Sequence, residues 1–270
     1  MNDLQKKELE ILACFIKICE TLNLRYFLVC GSALGAVKYG GFIPWDDDID
    51  VGIFREDYEV FINKASELLP EHLFLQNFHT DPAFPQIFSK LRDSRTTYIE
   101  KSVAKLPIHH GVYIDVFPLD GYPMKSRLSQ SLERKKTKYK RQLSCVFDVP
   151  RSLKSSLMCK YNRLIGYHMN TTEIVAKYDA LISKYSTIDT EVICNHGNWQ
   201  GCLEYCPKEQ YGQGVLMQFE GISVRVPEKY DEYLTQKYGD WRSDPPEEEC
   251  VGHHYFSILD LNNPFTEYLN

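Results

Sequence analysis

The chain has 270 residues, of which 43% are hydrophobic and 13% aromatic, enough for a substantial core in one large domain or two small ones. Its formal net charge of −6 argues against extensive binding to nucleic acid, which usually needs a basic surface. No apolar run approaches the ~18 residues of a membrane-spanning helix, and the first residues lack the layout of a signal peptide. We therefore expect a cytoplasmic protein.

The first predicted elements alternate between helix and strand. Apolar residues at helical spacing predict an amphipathic helix over residues 4–22. Residues 24–30 predict a strand that runs directly into Gly31-Ser32 and a short helix. The alternating residues 48–53 predict a second strand, and a helix is expected over about 55–69.

Three more strand-like segments follow, at residues 73–78, 86–91 and 111–117. Beyond them the pattern is mainly helical, and near the C-terminus it becomes mixed and rich in Gly, Pro and Tyr. We therefore predict an α+β protein. Its predicted parts are a catalytic core at 1–122, a mainly helical segment at 123–190 and a mixed C-terminal segment at 191–270 packed on the core.

The helical segment contains a strongly basic stretch between Lys125 and Arg141, where eight Lys and Arg residues accompany one acid, Glu133. We expect a solvated helix face. The alternative is a surface that contacts an anionic membrane or an anionic glycan carrier.

The cysteines predict reduced thiols rather than a disulfide framework. They number nine, an odd count, and are spread without regular spacing. The group that comes closest to a zinc-binding pattern is Cys194, His196, Cys202 and Cys206. Its spacing is not that of a zinc module, so we expect ordinary buried cysteines, with zinc as the alternative.

Residues 31–50 are the most informative stretch, because a small-residue turn precedes four carboxylates within five positions. Like charges this close repel one another and predict a bound cation, Mg²⁺ or Mn²⁺. Strand alternation puts Asp48 and Asp50 on one face. Asp46 shares that face if the extended conformation reaches back so far, whereas Asp47 is expected to point away.

A later strand and two further motifs extend this predicted site. Alternation over residues 113–117 turns Asp115 outward. If this strand is a neighbour of the strand with Asp48 and Asp50, Asp115 adds another carboxylate to the site. The combined acids could then hold two metal ions for phosphoryl transfer. Gly31-Ser32 is the predicted phosphate seat, because glycine permits close approach and a helix N-terminus favours anions. Lys90 and Arg92, two apart on a strand-like run, are expected to neutralise further phosphate charge.

Each of these motifs has a plain alternative when it is taken alone. The Gly-Ser pair is then an ordinary turn, and Lys90 and Arg92 are surface charges. The Asp run is then a solvated or calcium-binding loop, although it lacks the regular EF-hand spacing. The combination of strand, turn, short helix and paired strand acids favours catalysis.

Two segments, 31–37 and 41–52, resemble the signature of the LicD family. Members of this family are phosphocholine transferases of bacterial surface glycans, related to fukutin and fukutin-related protein. Residues 90–97, 115–121 and 238–241 are similar to later family segments, so the resemblance extends over most of the chain.

The resemblance implies a nucleotidyltransferase-like mixed sheet flanked by helices. It also implies transfer of a phospho-alcohol, typically phosphocholine, from a CDP-activated donor such as CDP-choline, with release of CMP. The implied acceptor is a sugar hydroxyl of a lipopolysaccharide, teichoic acid or capsule precursor at the inner face of the membrane.

The family pattern also implies roles for single residues. Asp48 and Asp50 match its metal-binding pair and Asp46 the acid before it. Asp115 matches its later carboxylate, either a general base or a metal ligand. Lys38 stands where many relatives have Arg and is a candidate contact to the donor. The further candidates for substrate contact are Trp45, His253 and His254, of which the histidines are alternatively part of a packed tail.

Two other functions remain open at this point. One is transfer of the nucleotidyl group itself to a small-molecule hydroxyl, as in antibiotic-modifying enzymes of the same fold. The other is a non-catalytic protein that senses nucleotide or scaffolds glycan assembly. The complete acid set argues against the second.

Overall fold

The protein is described by a computed structural model for residues 1–124, 127–148, 156–157, 159–161, 170–198, 204–250, 252 and 255–269. Its helices include α1 (Asp3–Thr21), α2 (Cys30–Lys38), α3 (Arg55–Lys64), α4 (Arg127–Ser144), α5 (Thr171–Ile182), α6 (Lys208–Tyr211) and α7 (Tyr230–Tyr238). Short 3₁₀ helices lie at Ala65–Glu67, Glu247–Glu249 and Phe265–Tyr268.

The strands include β1 (Tyr26–Leu28), β2 (Asp50–Phe54), β3 (Leu73–Gln76), β4 (Ser89–Asp93), β5 (Thr97–Glu100), β6 (Val112–Gly121), β7 (Val192–Asn195), β8 (Tyr205–Pro207), β9 (Val215–Phe219), β10 (Ile222–Val226) and β11 (Phe256–Asp260). Together with the flanking helices they confirm the predicted α+β class.

The main sheet is mixed and has the order β1-β2-β6-β4-β3. Strands β2 and β6 are parallel, whereas the other neighbours are antiparallel. Strand β7 pairs with the end of β6, and β8 pairs with β7. Two strands from the predicted C-terminal segment thus belong to the central sheet, and the proposed domain boundaries stay a prediction.

The centre of the sheet is β6, whose ten residues are all buried. A strand covered on both faces needs apolar side chains on both, and Val112, Ile114 and Val116 supply one of them. Helix α1 packs its apolar residues, Phe15 among them, into the same core. Its N-terminus is closed by a capping box between Asn2 and Gln5, which satisfies two backbone donors.

Two predicted strands differ from the structure near the site. The first is shorter than 24–30, because α2 begins at Cys30, which adopts a left-handed φ of +52°. The second begins at Asp50 rather than Asp48, so Asp48 lies in the preceding loop. The pairs β9–β10 and β5–β11 were not predicted.

Helix α4 carries most of the basic stretch. Arg134, Lys138 and Arg141 are exposed, whereas Leu132 and Lys136 are buried. Lys125 lies outside the described residues. Among the helices that the structure describes, none combines the length and apolar character needed to cross a bilayer. Contact with an anionic membrane stays a prediction.

A buried ion-pair network joins the sheet to two helices. Arg55, at the start of α3, donates through Nε and Nη2 to the two carboxylate oxygens of Asp120 at 2.6 and 3.0 Å, and through Nη1 to Asp179 at 3.0 Å. Asp120 lies on β6 and is fully buried. A buried carboxylate without its partner is strongly destabilising.

Replacing Arg55 by methionine should therefore lower the free energy of unfolding by about 3–5 kcal/mol. Urea denaturation monitored by circular dichroism measures this loss. Lys177→Met removes an exposed pair with Glu173 on α5 and should leave stability unchanged within error, because exposed pairs contribute little. Equal effects of the two substitutions would contradict a structural role for the network.

Candidate active site

Carboxylates converge where the parallel strands β2 and β6 run side by side. Asp50 and Asp115 are partners in the register, and partnered residues of adjacent strands project to the same side of a sheet. The two strands are thus neighbours, as the role assigned to Asp115 requires. Asp48 is separated from β2 by a single residue, Ile49. The side chain of Ile49 is fully buried and anchors the loop.

Two cavities meet at Asp48 and Asp50, which line both of them. The donor-side cavity, of about 1000 Å³, is also lined by Gly31, Lys38 and Asp46. The acceptor-side cavity, of about 510 Å³, is also lined by Lys90, Glu100 and Asp115. The two shared acids are therefore reachable from two directions.

Asp46, Asp47 and Asp48 each offer one oxygen atom to a group in which all three atoms lie within 4.8 Å of one another. This segment is an irregular loop, so strand alternation does not govern it, and Asp47 lies closer to its neighbours than the alternation suggested. Burial, with the charges of Asp48 and Asp47 added, raises the pKa of Asp46 to about 8.

These residues fit a divalent cation. Carboxylate oxygens are the hard donors that Mg²⁺ and Mn²⁺ prefer. A cation beside Asp46 and Asp48 would offset the same repulsion that raises the pKa of Asp46. Among the described residues, Asp46, Asp47 and Asp48 form the group whose oxygen atoms lie close enough together to share one ion.

Gly31 and Ser32, in the first turn of α2, hold the acids in place. A Cβ atom at Gly31 would lie 2.7 Å from Asp46 Oδ2, so glycine makes room for that carboxylate. The Asp50 backbone N–H donates to the Ser32 hydroxyl at 2.8 Å. Gly31 lines the donor-side cavity, whereas Ser32 is buried and positions Asp50. Its predicted contact with phosphate stays a prediction.

Lys90 and Arg92 occupy different environments although both are buried. Lys90 Nζ lies 3.0 Å from Asp115 Oδ1 and 3.6 Å from Glu100 Oε2, at the wall of the acceptor-side cavity. Arg92 donates to the Gln76 side chain and to the Gly111 carbonyl. It is not part of the wall of either cavity, so its predicted role toward phosphate stays a prediction.

Burial raises the pKa of Asp115, and the nearby Lys90 ammonium opposes that rise. The buried acid therefore lies beside a countercharge, with 3.0 Å between Lys90 Nζ and Asp115 Oδ1. Glu100 contacts both Lys90 and Arg92 at 3.6 Å. It was missed in the sequence, because β5 carries no motif that marks it.

Lys38 and Trp45 both line the donor-side cavity. Lys38 Nζ donates to the carbonyls of Trp241 and Ser243 and pairs with Asp244 at 2.6 Å. It thereby joins α2 to the segment after α7. Trp45 packs edge-on against Tyr39, with ring centroids 6.3 Å apart. His253 and His254 lie outside the described residues, and their predicted roles stay predictions.

The zinc alternative gains no support from the part of the chain that the structure describes. Cys206 is the register partner of Ile193, so Cys194, one residue further on, projects to the opposite face of the sheet. Cys202 lies outside the described residues. Cys194 instead contacts His196, with 3.3 Å between Sγ and Nδ1.

Asn198 is a further residue that sequence reasoning missed. It lines both the donor-side and the acceptor-side cavities, and its amide donates to Cys30 Sγ at 3.2 Å. Tyr238 also lines the donor-side cavity. The similarity of residues 238–241 to a family segment was the one signal that pointed toward Tyr238.

Comparison with known proteins assigns the family. The model of the LicD/FKTN/FKRP nucleotidyltransferase domain matches residues 23–144. The lipopolysaccharide cholinephosphotransferase LicD of Haemophilus influenzae is 30% identical over 254 residues, which cover 91% of this chain and 92% of that protein. The chain belongs to the LicD family. It is accordingly a phosphotransferase, and the resemblance seen in the motifs is confirmed.

Shorter matches of this LicD-family chain fall on other proteins. The human ribitol 5-phosphate transferase FKRP is 48% identical over 42 residues, 16% of this chain and 8% of that protein. An uncharacterized protein of Rickettsia prowazekii is 51% identical over 35 residues, 13% of each chain. These matches cover a short part of each protein.

The close approach at Gly31 makes a testable prediction. Gly31→Ala should displace the Asp46 carboxylate and weaken Mn²⁺ binding by about 10–100-fold, with little loss of stability because a carboxylate tip can move. Gly35→Ala is the matched control, since its Cβ would lie 2.4 Å from the Gly41 carbonyl oxygen. That backbone cannot yield, so this variant should lower the melting temperature.

Electron paramagnetic resonance of free Mn²⁺ and a thermal melt measure the two effects. Unchanged Mn²⁺ affinity in Gly31→Ala would show that Asp46 is not a ligand or that its position is not set by this contact.

Proposed function

We propose that this LicD-family enzyme transfers phosphocholine from CDP-choline to a sugar hydroxyl of a lipopolysaccharide precursor, in a reaction that needs Mg²⁺ or Mn²⁺. The observation that carries the proposal is the pair Asp48 and Asp50, which lines two separate cavities. Two substrates can then approach one reactive centre from different sides. The named Haemophilus influenzae relative supports phosphocholine and lipopolysaccharide as the substrates.

The donor-side cavity is the proposed site of CDP-choline. Its volume of about 1000 Å³ suits a nucleotide with its attached alcohol. Cys30 and Gly31, at the N-terminus of α2, line it, and a helix N-terminus favours the phosphates. Trp45 and Trp241 add aromatic faces, of the kind that hold a base or a quaternary ammonium.

The carboxylates would hold the metal between the two cavities. Asp46 and Asp48 are the proposed ligands, joined by Asp50 from β2. A bound divalent ion would neutralise the diphosphate and polarise the phosphorus that is attacked. The chain itself holds Asp50 in position through the Ser32 hydroxyl, which accepts from the Asp50 N–H.

Asp115 is the proposed general base. It lines the acceptor-side cavity, where a sugar hydroxyl would lie, and it is outside the group formed by Asp46, Asp47 and Asp48. Lys90 holds one of its oxygen atoms at 3.0 Å, which leaves the other to accept the proton. The hydroxyl oxygen then bonds to phosphorus, and CMP leaves with the electron pair of the broken diphosphate bond.

The first test uses CDP-choline that is labelled in the choline, and it measures both the transfer of the label and the release of CMP. Wild-type protein with Mg²⁺ and lipopolysaccharide precursor should transfer the label to the glycan. EDTA should abolish transfer, and Asp48→Asn and Asp50→Asn should lower kcat by at least about 10³-fold. Asp189→Asn, an exposed acid far along the sequence, is the control and should keep full activity.

The outcomes separate the candidate functions. Label on a teichoic acid or capsule precursor, but not on lipopolysaccharide, would change the acceptor and keep the reaction. Nucleotide found on the product would overturn phosphocholine transfer in favour of nucleotidyl transfer. Nucleotide binding without any turnover or metal dependence would support the non-catalytic sensor.

A second prediction concerns the role of Asp115. As a base it should contribute about 10²–10⁴-fold to kcat, so Asp115→Asn should lose this factor while Mn²⁺ affinity stays close to wild type. Lys90→Met should weaken activity less, because it removes a countercharge and leaves the acid. Loss of Mn²⁺ binding in Asp115→Asn would instead identify Asp115 as a metal ligand.

A further inference from the structure

The exposed side of α4 is strongly basic. Residues 124–172 contain twelve Lys and Arg residues and two acids, although the whole chain has a net charge of −6. Five of these cations lie on α4 and are exposed to solvent: Arg127, Arg134, Lys135, Lys138 and Arg141. We call this group the α4 basic face. The reaction proposed above uses none of its members.

The spacing of these cations places them in one strip. Arg127, Arg134, Lys138 and Arg141 follow one another at intervals of seven, four and three residues, and such intervals keep side chains on one side of a helix. Lys135 lies at the edge of the strip. At a rise of about 1.5 Å per residue, the strip is about 21 Å long, so it extends over most of α4.

None of these five side chains forms an ion pair with a described residue. The two acids of residues 124–172 are paired with other lysines: Glu133 contacts Lys136 at 2.8 Å, and Asp148 contacts Lys105 at 2.5 Å. Like charges three or four residues apart destabilise a helix, and three members of the α4 basic face have this spacing. A surface that retains such repulsion favours an anionic partner over simple solvation.

Exposed apolar side chains lie at the N-terminal end of the α4 basic face. Leu128 is 58% exposed, and Met124, just before α4, is 47% exposed. Leu128 is seven residues from Lys135 and therefore lies on the same side of the helix. A bilayer receives apolar side chains at the boundary of its headgroups, while anionic headgroups attract Lys and Arg. A soluble polyanion offers only the second interaction, so the combination favours a bilayer.

The net charge of −6 does not prevent this contact. At an ionic strength of about 0.15 M, charges are screened over about 8 Å, so a bilayer responds mainly to the part of the protein that is turned toward it. An anionic bilayer attracts the α4 basic face and repels the acidic remainder of the chain. The contact should therefore hold the protein in one orientation.

The α4 basic face leads to the acceptor-side cavity. Ser144, the last residue of α4, and Phe147 both line that cavity. Arg141 precedes Ser144 by three residues, which is about 4.5 Å along the helix axis. No described residue of α4 lines the donor-side cavity. A bilayer against Arg141 would thus lie close to the cavity that holds Asp115.

We propose that the α4 basic face binds the headgroups of an anionic lipid bilayer and thereby brings the acceptor-side cavity to the membrane. The expected acceptor is then a glycan that a lipid anchors in the same bilayer. The binding itself does not depend on the proposed function, whereas the choice of acceptor rests on it.

Binding is tested first without substrates. The full chain is floated with vesicles of phosphatidylcholine alone and with vesicles of phosphatidylcholine and phosphatidylglycerol in equal parts. At about 0.15 M salt it should bind the second and not the first, and at about 1 M salt, where the screening length falls to about 3 Å, most of this binding should be lost. Equal binding to both vesicles, or binding to neither, would overturn the proposal.

A double substitution and a matched control test the position of the surface. Arg134→Gln with Lys138→Gln should weaken vesicle binding by about 25-fold, since each cation near an anionic membrane contributes about fivefold. Lys17→Gln with Lys64→Gln removes two exposed cations from α1 and α3 and should change binding by less than about twofold. Thermal melts should be unchanged, because all four side chains are exposed. Equal losses would assign binding to net charge and overturn the surface.

Dextran sulfate serves as the competing soluble polyanion. Leu128→Gln should weaken vesicle binding by about tenfold and leave binding to dextran sulfate unchanged. If dextran sulfate binds through Arg134 and Lys138 more tightly than the anionic vesicles do, and Leu128→Gln has no effect on either, the partner is a soluble anionic glycan and the membrane assignment is wrong.

The catalytic arm compares a lipid-linked acceptor in anionic vesicles with the same glycan freed from its lipid. Arg134→Gln with Lys138→Gln should raise KM for the vesicle-bound acceptor by about 25-fold and leave kcat and the kinetics of the free glycan unchanged. A loss of kcat with the free glycan would place these side chains in the reaction and overturn their assignment to a membrane surface.

Failure of the two proposals can be told apart. Vesicle binding through the α4 basic face without any choline transfer would leave the membrane surface in place and refute the proposed reaction. Transfer at equal KM to free and vesicle-bound glycan, unaffected by the double substitution, would do the opposite.

Discussion

Mutual repulsion among carboxylates is the constraint around which this protein is built. The parallel pairing of β2 with β6 places Asp50 beside Asp115, and the preceding loop adds Asp46 and Asp48 within the same region. Such a cluster persists because other elements hold it. Gly31 yields space, Ser32 holds a backbone amide, and an ammonium lies next to Asp115. A divalent cation would complete the neutralisation.

The same cluster lies where the donor-side and acceptor-side cavities meet, and Asn198 lines both of them. The donor-side cavity is lined by the first turn of α2 and by aromatic residues, and the acceptor-side cavity is lined by Lys90 and Asp115. The basic helix α4 then has two distinct sides. Arg134 and Lys138 are exposed to solvent, while Lys136 and Lys140 line a third cavity, which shares Asn198 with the other two. Counting charges along this helix could not separate these sides.

Much of the fold followed from local pattern. The helical periodicity before residue 22, the alternation after Asp50 and the apolar run of β6 all matched real elements, because each signal comes from side chains that face a common core. Prediction failed where a contact distant in the sequence decides the outcome. The chain passes from strand to helix at Cys30, whose backbone is left-handed. Strand β11 pairs with β5, from which about 150 residues of chain separate it.

For the site, the acids and the glycine beside them could be located from residues 31–50, because four carboxylates follow a small-residue turn there and the stretch resembles the signature of one family. The environment of each side chain could not. Lys90 at the cavity wall and Arg92 in the interior look alike in sequence, and Asn198 and Glu100 carry no motif. Their positions depend on which strands become neighbours, since burial and charge at a point in space are summed over segments that are far apart along the chain.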